Sequence, residues 1–231
     1  MSIPDDFATD NYLKVLVKAL DESGRARLGT GELSRLSGVT PGSATSMIKK
    51  LKKAGFVSYE PHRGCGLTAS GRRYGMRILR RHRLLETFLV ESLKVDWTEV
   101  HEEAESLEHA VSEKLIDLID AKLGHPSRDP HGDPIPAKNQ VDLSMNELPL
   151  LDLLAGQGGI IARVAGDAAR LSYFRSEGLL PGARVAVLRR PEESGLMGLR
   201  LNRVEKSLAR SALGGVFMEG TRPPATGTER D

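Results

Sequence analysis

Apolar residues recur at helical spacing through the first half of the chain and in short strand-like runs near its end. Tyr12, Leu13, Leu16, Val17 and Leu20 line one side of the segment from Thr9 to Leu20. That spacing predicts an amphipathic helix ending near Gly24. A short helix follows, with Thr30 as cap, Leu33 and Leu36 facing inward, and Gly38 closing it. Thr40-Pro41 then opens another helix to about Ala54, with Pro at its first position, Ala44, Met47, Ile48 and Leu51 buried, and Gly55 as its stop. Two short helices joined by a Gly-containing turn make a helix-turn-helix.

The next pattern has period two. Phe56 to Glu60 alternates, Pro61-His62-Arg63-Gly64 turns, and Cys65 to Thr68 returns, which predicts a β-wing. From Ala69 a long helix runs to Leu93, with Leu79, Leu84, Leu85, Phe88 and Leu89 on its apolar side. Asp96 caps a further helix to about Leu123, with Glu99 completing a capping box. Two long adjacent helices with few strands to cover them imply a second copy, so a homodimer is expected, with a two-fold axis matching a palindromic operator. The segment 124–139 is rich in Pro, Gly, His and Asp and reads as a connection. Short strands at Gly159–Val164, Ala183–Arg190, Leu196–Asn202 and Val216–Glu219 then predict a small five-stranded barrel of SH3-like type. Thr221 to Asp231 reads as a disordered polar tail.

Charge divides the chain as sharply as hydropathy does. Residues 1–90 carry 16 Lys and Arg against 8 Asp and Glu, whereas residues 91–150 carry 5 against 14. A basic first part suits a polyanion and an acidic middle suits cations. The helix starting at Pro41 leaves Ser43, Thr45, Ser46, Lys49, Lys50, Lys52 and Lys53 outside. Hydroxyls in its first turns fit a major groove and later lysines fit phosphate, while Arg63 at the wing tip is placed for the minor groove or backbone. The single cysteine, Cys65, allows neither an intramolecular disulfide nor a thiolate cluster, which fits a reducing compartment. No apolar run approaches the roughly 18 residues of a membrane span, so a cytoplasmic protein without membrane contact is expected.

The acidic middle holds the candidate chemistry. In HEEAESLEH, residues 101–109, the residues His101, Glu105, Glu108 and His109 fall within about 100° of one helical face. His82 and Glu86 form a second pair at i,i+4, a spacing that places side chains side by side. Imidazoles and carboxylates gathered in this way point to a divalent cation, and a dication would relieve the repulsion between Glu105 and Glu108. The zinc-protease motif HExxH needs a second histidine where this chain has Glu105. No nucleophile or general base stands beside the candidate ligands, so an enzyme is not expected.

With these residues in place, the chain resembles the diphtheria toxin repressor and manganese transport regulator family of metal-dependent transcriptional regulators. The resemblance spans the winged helix, RRHRLLETFLVESL (80–93), VHEEAESLEH (100–109), DPHGDPIP (129–136) and a C-terminal barrel similar to FeoA-type domains. It implies an α+β fold in which a winged helix-turn-helix over 1–72 is followed by a helical metal-binding dimerisation domain over 73–143. An SH3-like FeoA-type β-barrel over 144–220 then completes it. It implies a repressor of metal-uptake genes whose metal sites would be Glu105, Glu108 and His109 with Asn11, and His82, Glu86 and His101. Asp129 and His131 stand where streptococcal-type relatives carry a metal-binding Cys-Pro-His, and on the same resemblance Asp167 would be a donor from the barrel.

Iron-type members of the family carry cysteine at the position of Glu105, methionine at that of Asn11 and a barrel glutamine at that of Arg170. Oxygen donors at Glu105 and Asn11 favour Mn(II), with Fe(II) as the alternative, while Arg170 weakens the bridge that the barrel glutamine makes in iron-type members. Manganese regulators with a binuclear centre carry carboxylates at the positions of Asn11 and Lys14, and a protonated lysine cannot ligate. The family's DNA contacts map to Thr40, Gly42, Ser43 and Ser46, with Lys49 and Lys50 on phosphates. The alternative is a winged-helix regulator whose metal site is lost or structural and which answers to another ligand.

Overall fold

Seven helices and eight strands, with two short 3-10 turns, make up the described part of the chain. The computed structural model describes residues 7–143, 146–190 and 195–220. The tail expected at 221–231 lies outside them. The chain divides into two compact units, one of residues 1–96, 100–129 and 134–145, the other of 97–99, 130–133 and 146–231.

The first unit opens with α1 (Phe7–Ser23), α2 (Thr30–Leu36) and α3 (Pro41–Lys53). Thr40 caps α3 by accepting from the Ser43 amide at 3.2 Å. Thr30 is the first residue of α2, with Gly29 in the cap position. Strands β1 (Val57–Glu60) and β2 (Gly64–Leu67) form the wing, and Leu28 adds a bridge to Cys65 with two hydrogen bonds of 2.8 Å. Gly64 has φ +90°, and a Cβ there would stand 2.3 Å from the Leu28 carbonyl oxygen, so only glycine lets the wing close on that bridge. Leu13, Leu16, Leu28, Leu33, Ile48, Leu51 and Ile78 make the core beneath.

Helix α4 (Ala69–Leu93) runs unbroken from the base of the wing, capped by Thr68, and spans the boundary expected at residue 72. It ends where Lys94 enters the left-handed region at φ +61°. The helix expected from Asp96 to Leu123 is two helices, α5 (Val100–Glu108) and α6 (Glu113–Lys122). Ser112 accounts for the break: its hydroxyl accepts from the Leu115 amide at 3.2 Å and starts a new helix. Leu84, Leu85, Val100, Ala104, Ile116 and Ile119 join α4, α5 and α6 in a second core.

The second unit departs further from expectation. Its sheet has six strands in the order β3-β8-β4-β5-β6-β7, namely β3 (Leu148–Pro149), β4 (Gly158–Val164), β5 (Arg184–Arg189), β6 (Leu196–Leu201), β7 (Val204–Ala209) and β8 (Val216–Met218). Among the described residues β3 and β7 are edges and the sheet is not closed, which corrects the five-stranded barrel. β7 carries Glu205 and Lys206 and buries only Leu208, so its alternation is weak; Asn202 at φ +53° makes the tight turn from β6. Helix α7 (Ala168–Glu177) also went unpredicted, because Leu171 and Phe174 are its only buried residues.

Two glycines set how closely α4 approaches its neighbours. A Cβ on Gly71 would stand 1.9 Å from the Phe56 carbonyl oxygen, and one on Gly75 would stand 2.6 Å from Val17 Cγ2 and 2.7 Å from the Leu13 carbonyl oxygen. We expect Gly71→Ala to cost about 1–3 kcal/mol through overpacking, more than the roughly 1 kcal/mol that alanine gains in a helix. A urea unfolding midpoint at or above the wild-type value would contradict this.

Candidate functional site

Helix α4 places His82 and Glu86 one turn apart on a buried face, and α5 brings His101, Glu105 and Glu108 opposite them. His109 lies just past the last residue of α5, so the shared helical face ends at Glu108. Helix α1 contributes a third wall through Asp10, Asn11 and Lys14, which share one face at helical spacing.

Three ligand atoms form a near-equilateral triangle. His82 Nε2 is 3.0 Å from Glu86 Oε1 and 3.0 Å from His101 Nδ1, and His101 Nδ1 is 3.1 Å from Glu86 Oε1. For bonds of about 2.1 Å to a first-row divalent ion, neighbouring ligands stand about 3.0 Å apart in an octahedron and about 3.4 Å apart in a tetrahedron. The triangle has the size of one octahedral face. Two imidazole nitrogens facing each other cannot both point protons inward, whereas one dication serves all three atoms. The three residues therefore fit a divalent metal by donor type and by spacing.

The other ring nitrogen of His82 faces the second group. His82 Nδ1 is 2.6 Å from Glu108 Oε2, and Glu108 is fully buried. Lys14 Nζ donates to Glu108 Oε1 at 2.6 Å and to Glu105 Oε1 at 3.0 Å. His109 Nε2 lies 3.5 Å from the same Glu108 oxygen. Its Nδ1 is 2.9 Å from Asp10 Oδ2, while Asp10 Oδ1 accepts from the Tyr74 hydroxyl at 2.7 Å. Asp10 thus orients His109 as carboxylates orient ligating histidines. Sequence reasoning passed over Asp10 in favour of Asn11, whose Oδ1 is buried with no hydrogen-bond partner. Between Glu105 and Glu108 the cation present is an ammonium, so this group does not fit a metal in the arrangement described.

The remaining expected donors have other contacts within their own units. Asp129 lies 3.7 Å from Arg83 Nε in the first unit. In the second, His131 Nε2 is 2.7 Å from the Trp97 carbonyl oxygen, and Asp167 caps α7 by accepting from the Arg170 amide at 2.9 Å. Burial pushes the Cys65 thiol up to about 11, which keeps it inert.

The candidate DNA face is the outer side of α3 with the wing. Thr40, Gly42, Ser43, Ser46, Lys49 and Lys50 are exposed. The Thr40 and Ser43 hydroxyls are 2.9 Å apart in the cap, which leaves Ser46 and Lys49 as the more outward groups. Arg63 is exposed and lies 3.4 Å from Glu60.

Charge compensation in the cluster sets protonation. Burial alone pulls the His82 imidazole toward neutral, but the Glu86 charge and hydrogen bonds to Glu108 and Glu86 outweigh it, and its pKa is pushed up to about 9. Burial likewise favours neutral Glu105 and Glu108. The Lys14 charge and hydrogen bond for Glu105, and the His82 hydrogen bond and charge together with Lys14 for Glu108, prevail and hold both below the usual carboxylate range. A raised histidine stabilises fully below its unfolded value of 6.5 and loses that contribution as pH rises through about 9. Lowered carboxylates act in the opposite sense, losing their contribution as pH falls below about 4.5. Metal-free protein should therefore melt progressively lower from pH 6.5 to 9, by on the order of 3 kcal/mol in stability. A flat or rising thermal midpoint across that window would refute it.

Three family models together span most of the chain. They are "Iron dependent repressor, N-terminal DNA binding domain" over residues 8–65, "Iron dependent repressor, metal binding and dimerisation domain" over 68–137, and "FeoA domain" over 148–219. The HTH-type transcriptional regulator MntR of Shouchella clausii is 36% identical over 110 residues, 48% of this chain and 75% of that protein. The iron-dependent repressor IdeR of Mycobacterium tuberculosis is 29% identical over 192 residues, 78% of this chain and 83% of its own length. A solved manganese-dependent transcriptional repressor in complex with manganese is 39% identical, with a TM-score of 0.85 over 92% of this chain and 100% of that one. The three models follow one another along this chain, and it belongs to the diphtheria toxin repressor and manganese transport regulator family of metal-dependent repressors.

Proposed function

We propose that this protein is a homodimeric, Mn(II)-responsive repressor of metal-uptake genes that binds a palindromic operator in the cytoplasm, with Fe(II) as the alternative metal. The observation that carries the metal reading is the octahedral-sized triangle of His82 Nε2, Glu86 Oε1 and His101 Nδ1. These residues would hold the ion; Glu105, Glu108, His109 and Asn11, the second donor group that the family pattern implies, have the Lys14 ammonium between their two carboxylates in the arrangement described. Asp129, His131 and Asp167 are further candidates on the same pattern. Bound there, a divalent ion supplies positive charge shared between α4 and α5. Oxygen and imidazole donors at octahedral spacing favour Mn(II) or Fe(II) over ions that prefer thiolate.

The protein's own residues carry the signal onward. His82 and Glu86 sit on α4, whose first turns hold the wing through Thr68 and Gly71, so a change in how α4 meets α5 reaches α3 without a flexible joint. Leu107 on α5 and Leu115 and Leu118 on α6 are exposed, an apolar surface suited to a second copy. Thr40, Gly42, Ser43 and Ser46 would face bases, while Lys49, Lys50 and Arg63 would hold the backbone.

The second reading, a regulator with a structural or lost site that answers to another ligand, draws support from Lys14 between Glu105 and Glu108. Selection of duplexes from a random pool separates the two. Retention of an inverted repeat with micromolar Mn(II) or Fe(II) but not with chelator supports metal control. Equal retention in both, or full metal response in His101→Ala, refutes it. Lys49→Ala should weaken all duplexes alike and reduce the salt slope of binding by about 0.9; an altered base preference at constant slope would place Lys49 on a base instead.

A further inference from the structure

The acidic pocket beside the triangle already contains a cation. Lys14 is buried, as a lysine is only when paired. Its Nζ lies 2.6 Å from Glu108 Oε1 and 3.0 Å from Glu105 Oε1. A metal bonded to the same two oxygens at about 2.1 Å would need the space that the ammonium fills. Two such cations in one pocket would repel across a few ångströms of poorly screened interior. The ammonium is also tethered: it is delivered by α1, whose Leu13, Leu16 and Val17 are fully buried, so a free ion competes against a high effective concentration.

We propose that the Lys14 ammonium is the resident cation of the Glu105–Glu108 pocket, so that of the two donor groups gathered by α1, α4 and α5 only His82, Glu86 and His101 offer an exchangeable metal position. The inference rests on the metal reading above and concerns how many ions serve it. Lys14 supplies the Glu105–Glu108 pocket with a charge that does not depend on metal supply. The tie it makes between α1 and α5 then holds with or without metal, and control falls to the α4–α5 triangle alone. His82 joins the two halves, since one of its ring nitrogens faces Glu108 and the other the triangle. A response with one ion per chain lacks the cooperativity that filling two adjacent sites would bring within a chain.

Equilibrium dialysis of the full chain against Mn(II) alone, with bound metal counted per chain, tests this. Wild-type protein should hold one Mn(II), and Lys14→Gln, which empties the pocket of its ammonium, should hold two. His101→Ala should weaken the single wild-type ion by more than the roughly 10- to 100-fold that loss of a supporting hydrogen bond causes. Two ions per wild-type chain, or one in folded Lys14→Gln, overturns the proposal and leaves the metal reading standing. If Lys14→Gln does not fold, the other two measurements decide: one wild-type ion lost in His101→Ala supports the proposal, and an ion that ignores His101→Ala overturns it. No bound ion in the wild type removes the metal reading and this inference with it.

Discussion

A carboxylate with no exposure to water has to be met by positive charge, and the first unit is assembled around that requirement at Glu108. Taking such a group from water costs several kcal/mol, which only close, well-aligned partners offset. Here they come from separate helices: Lys14 from α1 and His82 from α4, both 2.6 Å from Glu108 oxygens. Neither partner is near Glu108 in the chain, so the ion pairs hold together segments that hydrophobic contact alone would leave free to slide. The same demand orders the protonation states, raising His82 and lowering Glu105 and Glu108.

Helix α4 converts this local arrangement into a property of the whole unit. Its first turn touches the wing at Phe56, its second crosses α1 at Gly75 and its fourth bears His82. A helix of 25 residues without an internal break transmits a tilt better than it absorbs one. The proposed sensing and DNA-contacting surfaces are therefore parts of one framework, held closely at Gly71 and Gly75.

Much of this was legible beforehand. The winged helix followed from periodicities of 3.6 and 2 and from glycines that need positive φ, all of them local signals. The pairing of His82 with Glu86 followed from the same rules, whereas the grouping of His101 with them came from the family resemblance and not from spacing. Other features were hidden for physical reasons. Ser112 splits a helix by offering its hydroxyl to the backbone, a small energy within an otherwise continuous pattern. α7 and β7 bury so few residues that their periodicity scarcely rises above that of a loop. Asp10 was overlooked because it shares a face of α1 with Asn11, and sequence spacing alone did not say which of the two meets His109.

The sequence by itself determined which side chains share a face: donors at i,i+4 on α4 and α5, a basic outer side on α3, an apolar stripe on each helix. Only the tertiary structure decided which faces meet. Lys14 with Glu105, and Asp10 with His109, are contacts across more than 90 residues of chain. Periodicity constrains orientation within an element, whereas the charge that settles in a buried pocket depends on which elements close around it.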